Sequence, residues 1–249
     1  LSGNCEKVIG GYDFVTCEKV SDLLVGLECS APKTEDSDPM DQNGHGTHVA
    51  GIAAGKGDYN NNNIYEHNLG EIWGAAPDAK LYAYRVLAND GGFDSWIISA
   101  IERSLDPNKD GDLSDHVDII SMSLGSDVGY PDDALSKAVD NAVNLGVVVV
   151  VAAGNSGPYE QTIGSPGTAR KAITVGATTK SDNIAVFSSR GPVIWENGTI
   201  IKPDIVAPGE YICSAQASQD TMWNLYNSAY NTNINCIDNK HINISGTSM

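Results

Sequence analysis

The 249-residue sequence predicts a single α/β domain over residues 1–249, three-layered, with a mainly parallel β-sheet flanked by helices. Three observations lead there. Short runs with apolar interiors recur along the chain, as strands covered on both faces require. Helix-period segments separate them, and that alternation is the mark of a parallel sheet with helices packed on it. Hydrophobic residues make up 41% and charged residues 19%, which gives a chain of this length enough apolar surface for one core.

Taken in order, a helix is expected to start near Gly44 with His45 and His48 three apart on one side, and "NNNN" (Asn60–Asn63) reads as a surface loop. "KLYAYRVL" (Lys80–Leu87) is a strand, and Asp94–Leu105 is a helix following "GGF". "VDIISMSLG" (Val117–Gly125) is the next strand. The helix over Asp132–Leu145 puts Ala134, Leu135, Ala138, Ala142, Val143 and Leu145 on roughly one stripe before Gly146 ends it. Asp94 and Asp132 suit the N-caps. "GVVVVVAAG" (Gly146–Gly154) and "KAITVGA" (Lys171–Ala177) complete the strands. Ligands of such sheets bind beyond the carboxyl ends of the strands, here "SLG" (Ser123–Gly125) and "AAGNSG" (Ala152–Gly157).

The 32 acidic against 15 basic side chains give a net charge of -17, which repels nucleic acid and favours cations such as calcium. The longest apolar run, Val147–Ala153, is far short of the ~20 residues that span a bilayer, so no membrane segment is expected here. "LSGNCEKVIGG" has none of the features of a secretory signal, and the sequence is expected to begin downstream of any targeting segment. The five cysteines form no CxxC pair. Cys213 and Cys236 bracket a polar insertion and suit a disulfide staple, whereas Cys5, Cys17 and Cys29 leave one without a partner. Asn197 and Asn243 head glycosylation sequons.

Three stretches carry chemistry. In "NGHGTHVAGIAAG" (Asn43–Gly55) the flanking glycines present His45 at a helix start, where an imidazole can take a hydroxyl proton and return it to a leaving amine. Two histidines at i, i+3 without a following glutamate do not make an HExxH zinc site, and His48 reads as a satisfied core residue. In "VVVAAGNSGP" a buried strand ends abruptly at Asn155, whose amide either donates to a developing oxyanion or makes an ordinary Asx turn. In "SGTSM" a sharp turn after Gly246 exposes the Ser248 hydroxyl, as a nucleophile or as a plain turn residue.

Together, "GHGTHVAG", "AAGNSG" and "GTSM" resemble the subtilisin-like serine proteases, with "ISMSLG", "ITVGAT", "FSSRGP" and "KPDIVAPG" in the same order from Val8 onward. "VIGGYDFV" and "DPMDQNGHGTH" are similar to the larger secreted branch of that family. The resemblance implies peptide-bond hydrolysis through an acyl-enzyme, with no cofactor required for the chemistry. Ser248 attacks, His45 shuttles the proton, and the Asn155 amide with the Ser248 backbone N–H holds the oxyanion. It also implies secretion, a prodomain as partner, and protein or peptide substrates lying along Ser123, Leu124 and Gly125 as an added strand. The side chain before the cut would enter a cleft walled by Ala152, Ala153 and Gly154 with Gly164 near its base, and small walls suit a bulky apolar guest.

The family's D[ST]G aspartate has no counterpart in the sequence. Asp13 lies in the segment that follows that strand, and Asp36, Asp38 and Asp41 sit in a polar loop. The expectation is that the domain is incomplete, with the orienting aspartate upstream and the serine helix downstream, and that the fragment alone is inactive. "DPNKDGDLSD" (Asp106–Asp115) spaces Asp106, Asn108 and Asp110 around Gly111 as in the first half of a calcium loop, with Asp112 or Asp115 left to complete the shell. A solvated acidic loop is the other reading. The insertion Glu210–Ile244 either rims the cleft or is passive. Two rivals remain: a non-catalytic relative that binds peptides, and a calcium-stabilised adhesion module.

Overall fold

The computed structural model describes residues 7–23, 26–57, 72–88, 91–218, 236–237 and 240–249. Asn60–Asn63, Cys5 and most of the polar insertion lie outside the described residues. In chain order the elements begin with β1 (Val8–Asp13), β2 (Val20–Leu23), β3 (Gly26–Cys29), α1 (His45–Ala54), β4 (Leu81–Arg85) and α2 (Asp94–Leu105). There follow β5 (Ile119–Met122), α3 (Ala134–Asn144), β6 (Val148–Ala152), β7 (Ile173–Thr178), β8 (Val193–Trp195) and β9 (Gly198–Ile200). The last are β10 (Ile205–Pro208), β11 (Ile212–Ala215) and β12 (His241–Ile244). They gather into two compact units, Leu1–Trp96 with Cys213–Asn243, and Ile97–Ile212 with Ile244–Met249.

In the first unit, β1 and β4 run parallel, with Tyr12 opposite Tyr84 and Asp13 opposite Arg85. Asp13 is 2% exposed, a burial that a carboxylate tolerates only when paired. Its Oδ2 accepts from Lys33 Nζ at 2.6 Å and Arg85 Nη1 at 2.8 Å, and its Oδ1 accepts the Val15 N–H at 2.8 Å. Arg85 reaches on to Glu18 through both terminal nitrogens, and those bonds hold the Glu18 carboxyl down to about 2 against a desolvation penalty. Removing one partner from such a cluster strands a buried charge, at a cost of about 3–5 kcal/mol. The hairpin of β2 and β3 follows, closed by the Cys17–Cys29 disulfide, so two of the three early cysteines pair with each other. Cys213 and Cys236 are joined as the sequence suggested.

In the second unit, β10, β7, β6 and β5 form a sheet in that order with every pair parallel. All the predicted strands are present; three are trimmed at both ends, and β7 starts two residues later than its apolar run and ends one residue beyond it, at Thr178. The helix predicted over Asp132–Leu145 begins at Ala134, because the Asp133 carboxylate, rather than that of Asp132, accepts the Ser136 N–H at 2.7 Å as N-cap. Asp132 instead takes Arg170 Nη2 at 2.8 Å and Trp195 Nε1 at 3.0 Å. Asp94 is the first residue of α2 and not its cap. Lys202, 4% exposed, donates to the Ala172 carbonyl at 2.7 Å and to Asp204, whose Oδ2 also accepts the Thr174 N–H at 2.7 Å. That network fixes β10 beside β7.

The two faces of this sheet are not alike. Met122, Val149, Val151 and Thr174 share one face by register, and all are buried. The register places Ile119 opposite Val148, Val150 opposite Ile173 and Val175 opposite Ile205, so these six share the other face. At its amino-terminal end Ile119, Val148, Ile173 and Ile205 are between 38% and 61% exposed. Cover over both faces, expected from the apolar runs, is therefore incomplete here among the described residues. At the opposite, carboxyl edge, Ser123–Gly125 leaves β5 and Ala153–Asn155 leaves β6.

Candidate active site

His45 is the first residue of α1, and Gly44 is the N-cap with φ 103°, a left-handed conformation that costs glycine nothing. Glycine has no side chain to cap the helix, and Asp41 does it from three residues upstream. Asp41 Oδ1 accepts the N–H groups of Asn43 at 2.9 Å and Gly44 at 2.8 Å; Oδ2 accepts the Thr47 N–H at 2.8 Å and its hydroxyl at 2.7 Å. Burial pushes the Asp41 carboxyl up, but the bonds from Gly44, Thr47 and Asn43 outweigh it and hold the group below the ordinary aspartate range. Asn43 Oδ1 accepts the His45 N–H at 3.3 Å. Burial pushes the His45 imidazole below its usual 6.5, while the Asp41 charge pulls it back up. His45 is thus neutral near pH 7, the state a general base needs.

His48, one turn on, is fully buried, and its Nε2 lies 3.1 Å from the Ile242 carbonyl, which can only accept. The proton therefore sits on Nε2, and His48 is the core residue expected by its burial and by this one ring bond.

In the second unit, the turn Ser245–Ser248 is gripped by the strand ends. Gly246 N–H donates to the Gly209 carbonyl at 2.8 Å, and the Thr247 hydroxyl accepts the Gly154 N–H at 3.1 Å. Asn155 Oδ1 accepts both the Thr247 N–H at 2.9 Å and its hydroxyl at 3.1 Å. With the carbonyl end of the carboxamide committed to those donors, its NH₂ end must face the other way. A methyl group built on Gly246 would stand 3.5 Å from Asn155 Nδ2, 3.7 Å from the Ser248 nitrogen and 3.8 Å from Asn155 Oδ1, so glycine leaves open a small space beside both nitrogens and the carboxamide oxygen. Ser248 is tied to the end of β5: the Ser123 hydroxyl donates to the Ser248 carbonyl at 2.8 Å, and the Ser248 hydroxyl donates to the Ser123 carbonyl at 3.4 Å.

The structure thus brings Asn155, Ser248 and Ser123 together in the second unit, and His45 stands at its helix start in the first. Leu124 and Gly125 continue β5 past its last paired residue, Met122. Ala153 is buried, whereas Ala152 and Gly154 are partly open. Gly164 packs against the Ser126 carbonyl so closely that no side chain fits, while Ser126 N–H donates to the Ser165 carbonyl at 2.9 Å. Sequence reasoning missed Asp127, whose carboxylate accepts the Ser156 hydroxyl at 2.9 Å and so joins the "SLG" segment to the one that follows Asn155. Asp127 also lines, with Tyr130, Gln161 and Ile163, a cavity of about 160 Å³. Asp13 is engaged by Lys33, Arg85 and Val15, and Asp41 by the N–H groups of the helix start, roles other than orienting an imidazole.

In the acidic loop, carboxylate oxygens of Asp106, Asp110 and Asp115 lie within 4.8 Å of one another. Asp112 is elsewhere: its carboxylate caps the short 3₁₀ turn Leu113–Asp115 through the Ser114 N–H at 2.9 Å. Asp115, the other candidate, takes its place. Asn108 turns its NH₂ toward Asp110 at 3.0 Å and Asp115 at 2.7 Å, holding the carboxylates as a hydrogen-bond donor. An all-oxygen set of this kind suits a hard divalent cation.

The profile of the subtilase family (Peptidase S8) matches residues 26–249. The chain is 39% identical over 225 residues to serine protease AprX of Bacillus subtilis, covering 86% of this chain and 47% of that protein. It is 38% identical over 196 residues to subtilisin E of the same organism, covering 78% of this chain and 44% of that protein. It therefore spans about half the length of these curated relatives. Among solved structures, sphericase superposes with a TM-score of 0.65 at 30% identity, over 98% of this chain and 66% of the other.

Replacing Asp41 by alanine is expected to destabilise the fold by about 0.5–2 kcal/mol through loss of the cap, measured by urea denaturation. It should also move the His45 titration, followed by NMR, further below 6.5, because Asp41 is the charge that raises it. A depressed imidazole contributes stability that is present above 6.5 and lost as pH falls through the lowered value. Unfolding midpoints of the wild type should fall across that window. A His45 titration that rises in the variant would contradict the electrostatic assignment.

Proposed function

Since the chain belongs to the subtilase family, we propose that the protein is a serine endopeptidase that cleaves peptide bonds in proteins through an acyl-enzyme intermediate. The observation that carries this is that Asn155 Nδ2 and the Ser248 nitrogen stand 3.5 Å and 3.7 Å from one point beside Gly246, next to the Ser248 hydroxyl's own turn. Two fixed donors around one point are what a tetrahedral oxyanion needs, and they act without reorganising as charge develops. The Ser248 hydroxyl attacks the scissile carbonyl, and its proton passes to the neutral His45 imidazole. His45 then delivers that proton to the leaving amine, and water repeats the sequence on the acyl-enzyme.

Substrate lies extended beside Ser123, Leu124 and Gly125, held by backbone hydrogen bonds that are indifferent to its sequence. The residue before the cut enters the cleft beside Ala152 and Gly154, whose small walls favour a bulky apolar side chain; Ala153, a predicted third wall, belongs instead to the core. The protein is secreted, a reading supported by the Cys17–Cys29 and Cys213–Cys236 disulfides, which persist in oxidising compartments. A calcium ion at Asp106, Asp110 and Asp115 would neutralise a loop of a strongly acidic chain and would take no part in the chemistry.

In the full-length protein, Ser248→Ala should abolish casein cleavage. Asn155→Ala should lower kcat by about 10²- to 10³-fold with little change in KM, a magnitude established on a subtilisin. Fluorogenic peptides should be cut fastest after large apolar residues. Full activity in Ser248→Ala would defeat the proposal, and a strong preference for acidic or basic residues would defeat the pocket assignment. Calcium should raise the melting temperature above that in chelator, and Asp110→Asn should reduce the difference; identical melting curves would remove the ion.

A further inference from the structure

The helix that carries His45 is fastened from one side by the paired strands β11 and β12, through contacts no part of the reaction uses. His48 is fully buried and sits three residues beyond His45, so the two occupy the same side of α1 about one turn apart. Its Nε2–H donates to the Ile242 carbonyl in β12 at 3.1 Å. Its own carbonyl accepts the hydroxyl of Ser214 in β11, a side chain with no exposure, at 2.8 Å. One turn further, Gly51 allows the closest approach: a methyl group there would stand 2.4 Å from the Ser214 hydroxyl and 3.2 Å from the Ala215 nitrogen.

The strands are fixed in turn. Cys213, next to Ser214, is bonded to Cys236, and the Gln216 N–H donates to the Lys240 carbonyl at 2.8 Å. The brace therefore meets α1 at two positions one turn apart, and two of its three contacts fall on His48, one on the ring and one on the backbone carbonyl. An apolar residue at position 48 could fill the volume but could not fix the helix along its axis, because dispersion contacts have no direction. A hydrogen bond from a ring does.

We propose that His48 is a positioning residue: clamped between Ser214 and Ile242, it sets the height of α1 and thereby the placement of the His45 imidazole for proton transfer. This rests on the proteolytic reading given above. Displacement of a reacting group by about 1 Å can cost some 10²-fold in rate, so a helix that slides on its brace would lose turnover before it loses substrate affinity.

The test compares wild type, His48→Ala, His48→Gln and Ser214→Ala in the full-length protein. Active sites are counted by labelling Ser248 with a fluorophosphonate, and rates on a peptide substrate are expressed per labelled site. His48→Ala should lower kcat by about 10- to 100-fold with KM within about twofold of wild type. Ser214→Ala should lower it less. His48→Gln should recover most of the loss, because the glutamine amide can donate to Ile242 from nearly the same place. If His48→Ala does not fold, the glutamine and Ser214 variants still decide. Unchanged kcat per labelled site in Ser214→Ala with His48→Gln no better than His48→Ala would overturn the positioning role, as would a loss confined to KM. A wild-type protein that is neither labelled at Ser248 nor active would instead overturn the proteolytic reading beneath it.

Discussion

The Asn155 carboxamide accepts the Thr247 N–H at 2.9 Å and the Thr247 hydroxyl at 3.1 Å, and the geometry of the Ser245–Ser248 turn follows from that pair of bonds. A carbonyl oxygen held by two donors cannot exchange places with its amide nitrogen without losing both. The carboxamide lies beside the space at Gly246, and the Ser248 nitrogen stands at the border of the same space. One side chain at the end of a buried valine-rich strand thus orders two donors: its own amide and a backbone N–H 93 residues later. The strand supplies the rigidity, since Val149 and Val151 are buried and β6 is paired on both sides.

The histidine is positioned by the same means, with polarity reversed. Here a carboxylate, Asp41, gathers the unpaired N–H groups of a helix start, and the negative charge sits where the helix end is positive. Its bonds to Gly44 and Thr47 bracket His45 on both sides. Burial favours the neutral imidazole and the Asp41 charge tempers that preference.

Much of this was legible in the sequence, for local reasons. His45, Asn155 and Ser248 stand at abrupt changes of texture, where an apolar run meets glycine and a polar side chain, and such changes survive without knowledge of the fold. The strands were legible as apolar runs and the helices as stripes. What depended on distance along the chain was not. Asp41 looks like Asp36 and Asp38 in a polar loop; only the turn that brings four donors to its oxygens separates it, and the one clue was its place three residues before Gly44. Asp127 reads as a surface residue until Ser156 is seen beside it. Asp132 and Asp133 are neighbours with equal propensity to cap, and the choice falls to the one whose oxygen reaches Ser136. Asp112 and Asp115 were interchangeable on spacing alone, and the 3₁₀ turn decides between them. The face of the sheet shared by Ile119, Val148, Ile173 and Ile205 could not be told apart from the buried one, because both are built of branched aliphatic residues.

The most direct test of the account is a crystal structure of the full-length protein with a peptide aldehyde bound covalently to Ser248. The hemiacetal oxygen should lie about 2.7–3.1 Å from both Asn155 Nδ2 and the Ser248 nitrogen, in the space beside Gly246. An adduct whose oxygen points to solvent, or that forms on a residue other than Ser248, would contradict it.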